Sequence, residues 1–264
     1  MQDENNRQPT EAQKADMVLR EHMLSLCSPL WWESERKFVV HSGSMCVVKT
    51  PRAIFGIANN HVFEQYQKDK ANMEDVFCQL GSGPFDPTEN MISCNWYWDL
   101  ATFRLPALTL EHFNHKILPH DRWPPTLLQP TDHVAYGGYP EDRRFVPQGA
   151  RARPERMTAD FVSFRGTPNG CSETNVSLQI DRAKVTWLPN VHEPLKDDAN
   201  FSGMSGGPCF RVIPAENRIE LAAVVYEGRW DIGIVFARPT TLISDEGIVA
   251  AAPPGVNRPE PEGN

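Results

Sequence analysis

Gly203-Met204-Ser205-Gly206-Gly207-Pro208 is the stretch on which the reading of this chain turns. The pattern G-x-S-G-G-P describes a tight turn with one serine at its apex. Glycines at 203 and 206 carry no Cβ, so another backbone or a ligand can approach closely. The N–H groups of Gly203 and Ser205 then converge beside the serine hydroxyl, which suits an oxyanion formed during acyl transfer. Serine by itself is a weak nucleophile; it needs a base, and the base needs a group to orient it.

Both partners lie upstream. Ile57-Ala58-Asn59-Asn60-His61-Val62 ends an apolar run in a histidine, and Trp98-Asp99-Leu100-Ala101-Thr102-Phe103-Arg104-Leu105 opens a strand-like alternation at an aspartate. Each is a weak signal alone. A lone histidine is more often a core or surface residue, and an aspartate before a strand is more often a turn residue. Together they stand in the order His61, Asp99, Ser205. That is the chymotrypsin order, not that of subtilisins or α/β-hydrolases. On these residues the chain resembles the trypsin-like (chymotrypsin-fold) serine peptidases. Within them it is most similar to bacterial HtrA-like members without disulfides, over residues 38–245.

The resemblance implies an all-β protein of two antiparallel six-stranded β-barrels with a cleft between them. It implies His61 as base, Asp99 as its orienting carboxylate, Ser205 as nucleophile, and Gly203 and Ser205 as oxyanion donors. Tyr226-Glu227-Gly228 would edge the primary specificity pocket and pair with an extended substrate, with residues near Val235 on the far wall. Two specificities stay open: branched residues there would favour small or medium apolar side chains, whereas Glu227 would attract a basic one. The implied function is serine endopeptidase; the alternative is a catalytically impaired module that binds peptides or partner proteins. No metal and no organic cofactor is expected. Relatives activated by cleavage carry an aspartate before the serine, where this chain has Met204, so no activation by a new N-terminus is expected. Asn59-Asn60 place two amides ahead of His61, which would either disturb that turn or cap it.

Composition narrows the function classes. The chain has 264 residues, enough for two small β units, and 40% of them are hydrophobic, as in ordinary globular proteins. A formal net charge of −8 argues against nucleic acid and against an anionic membrane surface as partners. No apolar run reaches the length of a membrane span. The first residues are polar and acidic, with no basic segment leading into an apolar one, so a cytoplasmic location is expected. Six cysteines would permit three bridges. Secreted members of the resembled family bridge the strand of Cys46 to the residue after the catalytic histidine; here that residue is Val62. Cys46, Cys78 and Cys209 therefore read as buried thiols acting as small apolar residues. No C-x-x-C pair and no His/Cys cluster at zinc-ligand spacing occurs; His112 and His115 are three apart, but no cysteine or carboxylate pair completes a metal site.

Along the chain, residues 1–36 form an N-terminal extension. In it, residues 10–27 read as a helix with an apolar stripe of Met17, Leu19, Met23, Leu24 and Leu26. The helix is expected to pack on the barrels, with docking of a partner as the alternative. Leu30-Trp31-Trp32 adds apolar surface that needs cover. The first barrel is assigned to 37–118 and the second to 119–249, joined by a Pro-rich connector. Residues 250–264, with Pro253, Pro254, Pro259 and Pro261, read as a flexible tail. No internal repeat and no PDZ module is visible.

Overall fold

Short β-prone runs separated by turns require pairing partners, and two antiparallel sheets supply them. The computed structural model describes residues 19, 22–34, 39–74, 76–107, 117, 122–141, 144–145, 158–180, 186–188, 202–216, 218–229 and 231–258. The first sheet contains β1 (Cys27–Ser34), β2 (Val39–Lys49), β3 (Ile54–Ala58), β4 (Val76–Leu80), β5 (Gly83–Pro84), β6 (Met91–Asn95) and β7 (Leu100–Arg104). Its order is β5-β4-β1-β2-β3-β7-β6. The second contains β8 (His133–Gly138), β11 (Phe161–Gly166), β12 (Pro168–Cys171), β13 (Val176–Gln179), β14 (Thr186–Leu188), β15 (Pro208–Ile213), β16 (Arg218–Arg229) and β17 (Ile234–Pro239). Its order is β12-β13-β17-β16-β15-β8-β11-β14. A ribbon of β9 (Arg144–Phe145) and β10 (Thr158–Ala159) stands apart. Helices are few: α1 at residues 19 and 22–26, α2 (Asn60–Asn72) and α3 (Pro87–Asn90).

This is the expected all-β architecture of chymotrypsin-like type, with seven and eight strands in the sheets instead of six and six. The additional strand in the first sheet is β1, which the sequence reading left in the N-terminal extension. It pairs with β2 over its whole length, Cys27 opposite Cys46 through Ser34 opposite Val39, and with β4 on its other edge. Leu30, Trp31 and Trp32 are all almost fully buried. A strand covered on both faces shows no polar–apolar alternation, so its period was invisible. Trp32 Nε1 donates to the buried Asp69 carboxylate of α2 at 2.8 Å, which ties that helix to the sheet.

Three apolar cores result. One lies under α2 in the first unit, with Val62, Phe63, Tyr66 and Phe103. One lies within the second, with Tyr136, Phe164, Leu178 and Val235. The third joins both units: Phe55 and Ile57 of the first meet Phe161, Phe210 and Val224 of the second. The described part of α1 turns Leu19, Met23 and Leu26 into this joint core. The chain beyond β17 also returns to the first unit. Ile243 and Val249 enter the joint core, and Asn95 Nδ2 and Trp98 Nε1 donate to the carbonyls of Ala250 and Ala251 at 2.9 and 3.1 Å. Arg258 pairs with Glu64 of α2 at 2.8 Å. Residues 250–258, expected as a flexible tail, are thus held along the first sheet by side chains that satisfy their carbonyls; 259–264 lie outside the described residues.

All six cysteines are free. Burial pushes the thiols of Cys46, Cys78 and Cys209 well up, so they stay protonated at neutral pH. Cys94 is exposed. Treatment of the native protein with iodoacetamide is expected to modify Cys94 first and the half-buried Cys171 next. Cys27, Cys46, Cys78 and Cys209 should react only after denaturation, as read by peptide mass spectrometry.

One buried charge organises the start of the second unit. Arg211 of β15 reaches Asp132 at 2.9 Å and Glu220 at 3.2 Å, and donates to Thr126 Oγ1 and the carbonyls of Thr126 and Leu127. Removing one partner of such a cluster strands the opposite charges in a dry site. Arg211→Ala is expected to cost about 3 kcal/mol, seen as a lower midpoint in urea denaturation.

Candidate active site

β3 delivers the chain to α2 at Asn59, whose extended backbone (φ −84°, ψ 149°) precedes the first helical residue. The first N–H groups of a helix have no intrahelical acceptor. Asn59 makes no side-chain cap. Asp99 does this instead, from the turn between β6 and β7. Its Oδ1 accepts from the His61 N–H at 2.8 Å, and its Oδ2 lies 2.7 Å from His61 Nδ1. One carboxylate caps the helix and grips the imidazole. Its negative charge also sits at the helix end where the peptide dipoles favour it. Asp99 is mostly buried while the His61 ring is half-exposed, with side-chain exposures of 17% and 50%, so the ring's other edge is open to solvent and substrate.

Asp99 reaches this position with a φ of +52°, the one positive φ outside glycine among the described residues. Aspartate tolerates that region better than most residues, at some cost in strain. Its N–H donates to the Trp96 carbonyl at 3.3 Å and its carbonyl accepts from Asn59 Nδ2 at 2.8 Å. The fully buried Asn59 therefore neither disturbs nor caps α2; it anchors the turn that carries the carboxylate. Asn60 pairs with Glu64 one turn along the helix.

The serine turn at 203–208 is fastened to both units. Toward the first, the Ser44 N–H donates to the Ser205 carbonyl at 2.8 Å, Ser44 Oγ to the Gly203 carbonyl at 2.9 Å, and Cys46 Sγ to the Gly206 carbonyl at 2.9 Å. Toward the second, the Gly206 N–H donates to the Val225 carbonyl and the Val225 N–H to the Gly207 carbonyl, both at 2.8 Å. Gly203 and Gly206 adopt φ of +94° and +88°. A Cβ on Gly206 would stand 1.8 Å from the Ser44 carbonyl oxygen, inside any permissible contact. Met204 is buried, 1% exposed, in the core of the second unit. Among the described residues no group accepts from the N–H of Gly203 or of Ser205.

Val62, next to His61 in the chain, and the backbone of Ser205 approach the same strand. The space over Gly43 of β2 is bounded by Val62 Cγ1 and the Ser205 carbonyl, 2.8 and 3.5 Å from where a Cβ would stand. The Ser205 hydroxyl, however, makes its hydrogen bond to the Tyr226 carbonyl at 3.4 Å, and among the described residues His61 is not its partner. That carbonyl is turned toward the serine by a bulge in β16 between Val225 and Glu227, which leaves Tyr226 without a partner on β17. Bulges re-aim backbone groups in this way beside binding sites.

Of the residues expected at the specificity pocket, Tyr226 is half-buried. Its hydroxyl donates to Asn175 Oδ1 at 3.2 Å, and burial pushes its phenol up, against the Arg238 guanidinium. Glu227 is exposed and Gly228 partly so. Val235 is fully buried in the core of the second unit, and Ile234 beside it keeps some exposure. The loop at 197–201 lies outside the described residues. Sequence reasoning missed Ser44 and Arg238 as parts of the site, and gave Asn59 a role at the His61 turn other than the one it has. Arg238 had a usable signal, a single charge inside the apolar run Ile234-Val235-Phe236-Ala237 and its proline; Ser44 had none.

No family model matches the chain, and no curated protein matches it. Among solved structures it is similar to the serine endoprotease from Yersinia pestis, with a TM-score of 0.48 and 17% identity over 89% of this chain. It spans 65% of that protein's length. It is also similar to the active form of the Rv3671c protease from M. tuberculosis, with a TM-score of 0.42 and 17% identity over 88% of this chain and 83% of the other. A third is the thermostable serine protease AL20 from an extremophilic microorganism, with a TM-score of 0.45 and 11% identity over 82% of this chain and 91% of the other.

Gly206→Ala is expected to break the turn, because the Ser44 carbonyl must move and a positive φ disfavours any Cβ. The expected outcome is a lower melting temperature, as read by differential scanning fluorimetry.

Proposed function

We propose that the chain is a serine endopeptidase with His61, Asp99 and Ser205 as its catalytic set. The observation that carries this reading is the double grip of the Asp99 carboxylate on His61; the serine turn supports it, since among the described residues nothing accepts from its Gly203 and Ser205 N–H groups. In the reaction His61 takes the Ser205 proton as the hydroxyl oxygen attacks a peptide carbonyl carbon. Asp99 holds the ring with Nδ1 protonated and stabilises the imidazolium. The N–H groups of Gly203 and Ser205 receive the oxyanion, worth about 3 kcal/mol per donor in comparable sites. His61 then protonates the leaving amine, and water, activated by the same ring, releases the acyl group from Ser205.

An extended substrate has a place to pair. β15 accompanies β16 only as far as Pro208 opposite Val224, so among the described residues no strand pairs with the β16 edge at residues 226–228 on that side. Backbone addition to an open edge supplies affinity without demanding one sequence. The peptide or protein substrate, and the absence of any need for metal or organic cofactor, belong to this reading.

A second reading rests on one observation: the Ser205 hydroxyl donates to Tyr226 and not to His61. A site locked in that state binds peptides without cutting them. In the peptidase reading the hydroxyl leaves the Tyr226 carbonyl when substrate arrives, as catalytic hydrogen bonds often tighten only in the complex.

A fluorophosphonate probe separates the two. The peptidase is expected to be labelled at Ser205. Labelling should vanish in Ser205→Ala and slow by about 10⁴-fold in Asp99→Asn, which leaves the imidazole in the wrong tautomer. A folded wild type that takes no label over hours at neutral pH supports the binding module.

A further inference from the structure

Arg238 lies on the partly exposed face of β17, yet its guanidinium is held in place by several contacts. Among the described residues its partners are not carboxylates. Its Nε donates to the Trp98 carbonyl at 2.9 Å and its Nη1 to the Thr174 carbonyl at 2.9 Å. Its guanidinium carbon stands 4.1 Å from the centroid of the Tyr226 ring, a cation–π contact. Trp98 immediately precedes Asp99, and Tyr226 supplies the carbonyl that holds the Ser205 hydroxyl. One side chain thus touches the neighbour of the acid in the first unit and the neighbour of the nucleophile in the second.

The backbone of Asp99 gives that contact its significance. At a φ of +52° it is strained, and a strained residue persists only where its surroundings over-determine it. The carbonyls on both sides of its α-carbon are pinned, Trp98 by Arg238 and Asp99 by Asn59. With both fixed, the two carboxylate oxygens meet the N–H and Nδ1 of His61. A guanidinium suits the task because it offers several donors in one plane while meeting a ring; an ammonium offers one point charge.

We propose that Arg238 is a positioning residue that keeps the His61–Asp99 pair in register with Ser205, by holding the Trp98 carbonyl at one end and Tyr226 at the other. The inference rests on the reading of those three residues as the catalytic set. A mere staple between the sheets would stabilise the fold without setting the geometry of the acid.

The test uses the full chain as wild type, Arg238→Ala and Arg238→Lys. Three quantities are measured: the rate of fluorophosphonate labelling at Ser205 with and without millimolar guanidinium, amide hydrogen exchange at His61, and the melting temperature. Both variants are expected to label about 10²-fold more slowly, the loss that a displacement of about 1 Å brings. Exchange should rise at the His61 N–H, which donates to Asp99, and stay unchanged at the Val225 N–H in β16. Added guanidinium should restore part of the rate in Arg238→Ala and do nothing for Ser205→Ala. Unchanged labelling in both variants overturns the proposal. So does slow labelling with faster exchange throughout both sheets and no recovery with guanidinium, the mark of a structural staple. If the wild type itself takes no label, the peptidase reading fails, and exchange at His61 decides the positioning role alone. Faster exchange confined to His61 in Arg238→Ala supports it, and unchanged exchange overturns it.

Discussion

The close approach of the Gly206 backbone to the Ser44 carbonyl is the constraint on which the site depends. Every fastening of the serine turn to the first unit lies within that contact: the Ser205 carbonyl on the Ser44 N–H, the Gly203 carbonyl on Ser44 Oγ, and the Gly206 carbonyl on Cys46. The same turn belongs to the second unit through Val225. It is therefore a backbone seam between the sheets, and no residue with a Cβ can stand at position 206 in it. The joint core of Phe55, Ile57, Phe161 and Phe210 supplies the burial that presses the units together; the seam decides where they meet.

Asp99 solves two problems with one group. The start of α2 needs an acceptor for its free N–H groups, and the imidazole on that first turn needs a partner for Nδ1. A carboxylate presented from the opposite turn satisfies both, so helix formation and ring orientation are coupled. The strain of its positive φ is the local cost, offset by the hydrogen bonds that Asn59, Arg238 and the Trp96 carbonyl make to that turn. A misplaced turn at 96–99 would thus disturb the helix start as well as the ring.

How far the sequence was legible follows from the range of each interaction. β16 shows in the sequence as a buried apolar run, Leu221 to Val225, between polar ends. β1 does not, because Trp31 and Trp32 are covered from both sides. Residues 250–258 read as a tail because proline and small residues carry no period; the partners that hold them, Asn95 and Trp98, lie about 150 residues upstream.

The sequence by itself determined the kinds of residue at the site and their order, His61 before Asp99 before Ser205, and it determined the glycines that let the serine turn close. Those follow from local chemistry: backbone freedom, side-chain donors and acceptors, and short-range alternation. Only the tertiary structure decided that Asp99 caps the helix it serves, that the Ser205 hydroxyl rests on Tyr226, and that Arg238 spans the two. The pairs involved are separated by 38, 21 and 140 residues. Which of many such partners meet is settled by how two sheets pack, and no local pattern carries that information.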